Sequence, residues 1–348
     1  MVADSSFTDL IRRPVIVAPM AGGPSTTKLI AAATQAGAVG FVAAGYKAAQ
    51  AMRADIDAVT AVTSEPYGVN VFVPGAPADP HAVARYLDAI AADAAALGAA
   101  PGTASWDDDD WHAKIADLIA RPVPIVSFTF GSPEPEIVAA LRAAGSSVCV
   151  TVTDPAEAVA ALSAGAGCLC VQGTEAGAHR GTFTNAPGGT AGVVELIATI
   201  RAVTSVPLVA AGGIMDAAGV SAALAAGATA VQCGTAFLRC PESGAHPVYK
   251  AALADPRYGR TAVTRAFSGR PARGLVNGFL RDHQDAPPAY PEINNATRPI
   301  RAAAAAAGDA DRMSLWAGQG YRAATTRPAG EVIEMLCSPV ASWMPPRG

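Results

Sequence analysis

Eight short runs rich in β-branched residues, separated by longer alanine-rich stretches, constrain this 348-residue chain more than any other feature. The runs cover 15–18, 39–43, 67–73, 124–130, 147–152, 167–172, 206–211 and 228–233. They are near-continuously apolar instead of alternating, the pattern of strands buried on both faces, and so predict a parallel sheet covered by helices. The stretches between them open on capping residues (Ser25-Thr26-Thr27, Asp154-Pro155, Asp216), and several end in Ala-Gly, as at Ala36-Gly37, Ala144-Gly145 and Ala226-Gly227. These are helix start and stop signals. Eight strand–helix units in about 240 residues match a (β/α)8 TIM barrel. A doubly wound open sheet alternates in the same way, and the count of eight favours the barrel.

With 51% hydrophobic and 16% charged residues the chain cannot remain unfolded in water. Its 25 basic and 29 acidic residues leave a net charge of -4 with no long basic block, which argues against a nucleic-acid partner. The uncharged stretch 29–46 carries Gln35, Gly37, Gly40 and Gly45 and reads as helix, turn and strand, not as a membrane span. The N-terminus lacks the apolar core of a signal peptide, so the six cysteines are expected as reduced thiols in a cytoplasmic protein.

Residues 1–238 are expected to form the barrel. The repeat stops after Leu238, and 239–312, richer in Pro, Arg and Tyr, reads as a smaller subdomain or lid inserted after the eighth strand. Residues 313–348 are expected to supply C-terminal helices that pack back on the barrel.

Barrel active sites lie at the C-terminal ends of the strands. The first strand runs into Ala18-Pro19-Met20-Ala21-Gly22-Gly23, the third carries Asn70, and the fourth Ser127 and Thr129. The sixth opens into Gln172-Gly173-Thr174-Glu175-Ala176-Gly177-Ala178-His179-Arg180-Gly181, a polar glycine-rich loop. Glycine turns at the seventh (Gly212-Gly213) and eighth (Gln232-Cys233-Gly234-Thr235) strands predict a phosphate cradle, because bare N–H groups and helix N-termini converge there. Tight turns alone would use the same glycines.

His179, in a loop expected to give it few packing neighbours, can donate a hydrogen bond or take a proton near neutral pH. No metal site is expected. Cys168 and Cys170 share a strand face without a second thiol pair at ligand spacing, and the aspartates at 107–110 repel one another as a solvated loop and helix cap.

These stretches, with Gly68-Val69-Asn70, Ala211-Gly212-Gly213-Ile214 and the tail motif Leu315-Trp316-Ala317-Gly318-Gln319-Gly320, resemble the nitronate monooxygenases over nearly the whole chain. The His179 loop and the tail motif resemble class I. The resemblance implies FMN at the barrel mouth, with Asn70, Gln172, Gly177, Gly212, Gly213, Gly234 and Thr235 as contacts and Met20 beside the ring. Pro19, Ala21, Ser127, Gln232, Gly318 and Gln319 complete the expected cofactor set, and the family's catalytic histidine falls on His179. The implied reaction takes an alkyl nitronate and O2 to a carbonyl compound and nitrite without a nicotinamide, with propionate 3-nitronate a candidate substrate.

Class I relatives place tyrosine and lysine near the substrate, whereas no lysine follows Lys250 here. Arg298, Arg301 and Tyr321, together with Tyr290, are therefore the candidates for the substrate's far end. An FMN-dependent NAD(P)H reductase on the same scaffold, acting on an enoyl thioester or a quinone, is the alternative, and a flavin-binding barrel without turnover a third. The oligomeric state is not encoded in any of these motifs.

Overall fold

The structure is a computed structural model that describes residues 7–338. The first residues of the N-terminal segment (1–6) and the end of the C-terminal one (339–348) lie outside the described residues. Strands β1 (Val15–Val17), β2 (Phe41–Ala43), β3 (Gly68–Phe72), β4 (Ile125–Thr129), β5 (Ser147–Val152), β6 (Cys168–Gln172), β8 (Leu208–Ala211) and β9 (Ala230–Cys233) coincide with the eight predicted runs. All neighbours pair in parallel, in the order β1-β9-β8-β6-β5-β4-β3-β2. A parallel bridge between Ile16 and Val39, with Val17 N–H donating to the Val39 carbonyl at 2.8 Å, nearly closes the ring. The fold is therefore a (β/α)8 TIM-type barrel and not a doubly wound sheet.

Strand alternation divides the barrel into two apolar layers. Val15, Val17, Val69, Val71, Val126, Phe128, Val148, Val150, Leu169 and Val171 face outward into the main core beneath the helices. Ile16, Phe41, Ile125, Cys149, Cys168, Cys170, Val209 and Ala230 face inward, packed with Phe7 and Ile11. One step further along the inward face the side chains become polar: Asn70, Ser127, Thr129, Thr151, Gln172 and Gln232. The strands are apolar on both sides for most of their length, and their inward faces turn polar only at the C-terminal ends, where the site lies.

The helices start where the capping residues predict. Thr26, Asp154 and Asp216 each accept a first-turn N–H of the helices Thr27–Gln35, Pro155–Ser163 and Ala217–Ala225. The terminal helix Ala329–Cys337 packs its Val332, Ile333 and Leu336 into the main barrel core.

A smaller core sits over the barrel mouth. It combines Phe267, Val276, Phe279, Ile293 and Ile300 with Val83, Tyr86 and Ile90 of the helix Pro80–Ala96. That helix comes from between β3 and β4, within the stretch read as barrel, so the cap is assembled from two separate parts of the chain. A three-stranded antiparallel sheet accompanies it, formed by β10 (Thr261–Thr264), β11 (Ala272–Leu275) and the short β7 (Ala178–His179) from the loop after β6. Among the described residues no helix is long and apolar enough to cross a membrane.

Candidate active site

A cavity of about 730 Å3 opens at the C-terminal ends of the barrel strands, between barrel and cap. It is lined by Pro19, Met20, Ala21, Asn70, Ser127, Gln172, Gly177, His179, Gly212, Gly213, Gln232, Gly234, Thr235, Arg298, Arg301 and Gly318. Three residues singled out in the sequence do not line it: Tyr290, which packs against Phe130 and His179 beside it, Gln319 and Tyr321. Gln319 contributes its backbone N–H to the Glu175 carbonyl at 3.0 Å while its side chain is exposed. Tyr321 is buried beside the cavity with its hydroxyl bonded to the Tyr258 carbonyl.

One end of the cavity is backbone. A Cβ on Gly177 would fall 2.4 Å from Gly318 N and 2.6 Å from Ala317 C, and one on Gly213, whose φ is +70°, would fall 2.8 Å from Glu175 Cβ. The loop after β6, the turn after β8 and the tail segment at 317–318 thus approach one another with no room for side chains. Thr235 Oγ1, just past β9, accepts the Gly318 N–H at 3.0 Å and ties the tail to this end.

The His179 loop is built outward from β6. Gln172 donates through Nε2 to the His179 carbonyl (3.0 Å) and accepts through Oε1 from Gly181 N–H (2.8 Å), so its amide acts on the loop. The fully buried Arg180 donates to the Gly173 carbonyl. Pairing of β7 with β11, which sets His179 opposite Ala272, then places the imidazole against the cap.

His179 does not have few neighbours. Its ring lies 5.6 Å from Phe130, 5.8 Å from Tyr290 and 5.5 Å from Trp316, centroid to centroid. His179 Nε2 and the Ser268 hydroxyl form a hydrogen bond of 2.8 Å, and the same hydroxyl lies 3.2 Å from the Arg270 carbonyl. Burial, with the charges of Arg270 and Arg301, pushes the histidine pKa down to about 3. His179 is therefore a neutral imidazole at pH 7 and a weak base.

The other end of the cavity is made of side chains. Arg301 donates through Nη2 to the backbone and side-chain oxygens of Asn294, both at 2.9 Å. Its Nε is buried without a partner among the described residues. Burial lowers its pKa to about 10, which leaves it charged at pH 7. Arg298 is exposed, with its guanidinium 5.8 Å above the Tyr46 ring, and Arg270 lies 3.9 Å over the Phe130 ring. None of these arginines forms a carboxylate ion pair among the described residues.

The family model described as nitronate monooxygenase matches residues 4–339. The chain belongs to the nitronate monooxygenase family. The family is one of oxidoreductases. The chain is 42% identical over 346 residues to a nitronate monooxygenase of Pseudomonas aeruginosa, covering 95% of this chain and 97% of that one. A solved structure of nitroalkane oxidase from Streptomyces ansochromogenes superimposes with a TM-score of 0.94 at 48% identity, over 97% of this chain and 98% of that one. FabK from Thermotoga maritima, at 28% identity and a TM-score of 0.73, covers 95% of this chain and 94% of that one.

Several lining residues of this nitronate monooxygenase relative escape sequence reasoning. Tyr46, Phe72, Phe130 and Asn294 all border the cavity, as does Trp316 of the tail motif. Phe72 and Phe130 close adjacent strands and pack at 4.6 Å, and Phe130 also meets Tyr290 at 5.4 Å. Their common signal is an aromatic within a residue or two of a strand's C-terminal end. The 107–110 run behaves as a structural loop: Asp110 accepts the Ala49 N–H at the start of the helix Ala49–Thr60 (2.7 Å), and Asp107 binds Asn295 at 2.8 Å. Among the described residues no group of His, Cys, Asp or Glu is arranged to hold a metal.

Proposed function

We propose that the chain is an FMN-dependent nitronate monooxygenase that converts an alkyl nitronate and O2 to a carbonyl compound and nitrite, with propionate 3-nitronate the substrate that fits best. One observation carries this reading. A single cavity joins a glycine-walled end to an end bearing unpaired guanidinium groups, with a neutral histidine between them.

The glycine end suits a terminal phosphate, since Gly177, Gly212, Gly213, Gly234 and Gly318 let an anion approach bare backbone beside Thr235. Asn70, whose Nδ2 is held by Ser127 Oγ (2.9 Å) and Thr129 Oγ1 (3.0 Å), keeps its carbonyl oxygen for a ligand N–H. Pro19, Met20, Ala21, Ser127 and Gln232 supply the rest of the ring pocket, while Gln172 works as the clamp of the His179 loop. Bound there, FMN supplies the electron acceptor, and about 730 Å3 accommodates a cofactor with a small substrate beside it.

A histidine this hard to protonate is poorly suited to removing a carbon-bound proton from a neutral nitroalkane. It is better matched to a substrate that arrives as the nitronate anion, held by hydrogen bonding and by the field of the nearby arginines. The substrate's carboxylate would then meet Arg301, whose Nε lacks a partner.

Anaerobic mixing of the flavin-loaded protein with propionate 3-nitronate, and separately with NADH and NADPH, tests the reading through the flavin absorbance. Bleaching by the nitronate alone, with nitrite appearing once O2 is admitted, is the expected result. Rapid bleaching by a nicotinamide would make the protein a reductase on this scaffold. Acid-released cofactor should migrate as FMN, because no G-x-G-x-x-G dinucleotide motif follows the first strand.

A further inference from the structure

A buried ion pair lies just outside the cavity wall, attached to a strained residue that forms part of that wall. Lys114, on the helix Trp111–Ala120, is wholly inaccessible to solvent, and its ammonium lies 2.7 Å from Asp109 Oδ2. The other carboxylate oxygen, Oδ1, accepts the backbone N–H of Tyr46 at 2.8 Å. Tyr46 (φ +67°) and Asp109 (φ +55°) both adopt the left-handed backbone region, which non-glycine residues seldom occupy. Such strain persists only where surrounding contacts hold it.

Tyr46 carries this arrangement into the cavity. Its ring packs edge-on against Phe72 at 5.4 Å and lies beneath the Arg298 guanidinium. Its hydroxyl faces the Tyr290 phenol and Arg301, and is buried without an aligned hydrogen bond among the described residues. Desolvating a lysine and an aspartate costs more than their attraction reliably returns, so a buried pair is weak evidence of a stabilising role. What this pair fixes is the position of Tyr46.

We propose that Asp109, held by Lys114, is a positioning residue that fixes Tyr46 as the wall of the substrate's anionic end, and so sets selectivity for nitronates bearing a second negative charge. The inference rests on the proposed nitronate reading. It assigns Asp109 no contact with the substrate: its carboxylate acts only through the Tyr46 backbone.

Protonation supplies a signature that a passive wall would lack. Burial, opposed by Lys114, raises the Asp109 pKa to about 6. The groups facing the carboxylate are Lys114 from its helix, Asp107 from the same loop and the Tyr46 N–H, with Tyr290, Arg298 and Arg301 beyond the Tyr46 ring. As pH falls through about 6 the carboxyl, though still able to accept the Tyr46 N–H, no longer balances Lys114, and the uncompensated buried ammonium destabilises the loop that holds Tyr46, so the hold weakens on the acid side.

The test compares KM for propionate 3-nitronate with KM for ethyl nitronate, which lacks the carboxylate; the ratio largely cancels protonation of the nitronate group common to both. In Asp109→Ala/Lys114→Met, which removes both charges and the acceptor, the ratio should rise about tenfold with kcat on ethyl nitronate within about twofold of the parent. Asp109→Asn/Lys114→Met, which restores an uncharged acceptor for the Tyr46 N–H, should return the ratio to within about twofold of the parent. The parent's ratio should climb below about pH 6, and that of Asp109→Asn/Lys114→Met should stay flat.

Equal effects on both substrates, or no rescue by asparagine, would overturn the proposal. If the alanine variant does not fold, a parent ratio that is flat through pH 6 overturns it alone. Calorimetric titration with succinate, a dianion of similar length, separates this inference from the functional one. Succinate binding that depends on Asp109 in a protein that oxidises no nitronate would sink the nitronate reading and leave the positioning role standing; succinate binding unaffected by either variant would count against the positioning role.

Discussion

The two ends of the cavity recognise a ligand by opposite means. At the glycine end the chain offers backbone from the loop after β6, the turn after β8 and the 317–318 segment, so closely packed that added Cβ atoms would collide. At the arginine end it offers side chains brought together from segments far apart in sequence: Tyr46, Phe130, Arg298 and Arg301, with Tyr290 packed against Phe130 beside them. The first end is rigid and uncharged and suits a part of the ligand common to every turnover. The second carries unpaired positive charge and strained residues, and suits the part that distinguishes one substrate from another.

His179 lies between the two ends and carries the largest expected effect. His179→Asn should keep the cofactor and lose about a hundredfold or more in kcat/KM on nitronates, because Gln172 and β11 pairing still hold the loop when the imidazole's bond to Ser268 is lost. With its pKa near 3, the histidine is protonated only in strong acid. The parent's kcat on ethyl nitronate should therefore show no histidine limb between about pH 6 and about pH 8. A limb near the ordinary histidine value that vanishes in the Asn variant would mean that the site is far wetter than the packing of Phe130, Tyr290 and Trp316 allows.

The glycine end comes next. A methyl at Gly177 must displace the backbone of Ala317 and Gly318, and overpacking of this kind costs about 1–3 kcal/mol. Gly177→Ala should therefore weaken FMN binding by on the order of tenfold to a hundredfold, measured by quenching of flavin fluorescence, with turnover at saturating FMN largely retained. Normal FMN affinity with depressed turnover would show that these glycines shape the substrate side and would dissolve the division between the two ends.

That division also explains what the sequence revealed. All eight barrel strands and the capping residues Thr26, Asp154 and Asp216 were legible, because each depends on a local pattern: an apolar run, or a side chain reaching its own first turn. The glycine turns were legible for the same reason. The Tyr46–Asp109 hydrogen bond spans 63 positions and the His179–Ser268 bond spans 89, and no local pattern announces either. The crowding around His179 was misread on the same account, since a glycine-rich loop is open only until β11 and the cap close over it. The Pro80–Ala96 helix shows no local sign that it serves the cap, because an amphipathic helix does not specify which core it covers.

Arg301 tests the other end of the comparison. It is half-buried and charged, and its Nε is buried with no partner among the described residues. Arg301→Gln should raise KM for propionate 3-nitronate by about tenfold or more, the scale of a hydrogen bond to a charged group, and change KM for ethyl nitronate much less. Equal shifts on the two substrates would show that Arg301 supports the cavity wall without reading a carboxylate.

Arg298 should give the smallest effect, for a reason that separates holding an anion from attracting it. It lines the same cavity as Arg301, but it is exposed, and its guanidinium lies over the Tyr46 ring with no hydrogen bond among the described residues to fix it. An exposed cation contributes mainly through the long-range field, which salt screens, whereas a buried one acts at contact distance. Arg298→Gln should therefore lower kcat/KM for propionate 3-nitronate by about twofold at low ionic strength, and the loss should disappear near 1 M salt, where the Debye length is about 3 Å. The Arg301→Gln loss should survive the same salt. If Arg298→Gln instead matches Arg301→Gln in size and resists salt, the exposed arginine grips the ligand directly. The anion-reading end would then extend out to the mouth of the cavity, and the selectivity assigned to a half-buried arginine behind a fixed Tyr46 wall would have to be shared with the surface.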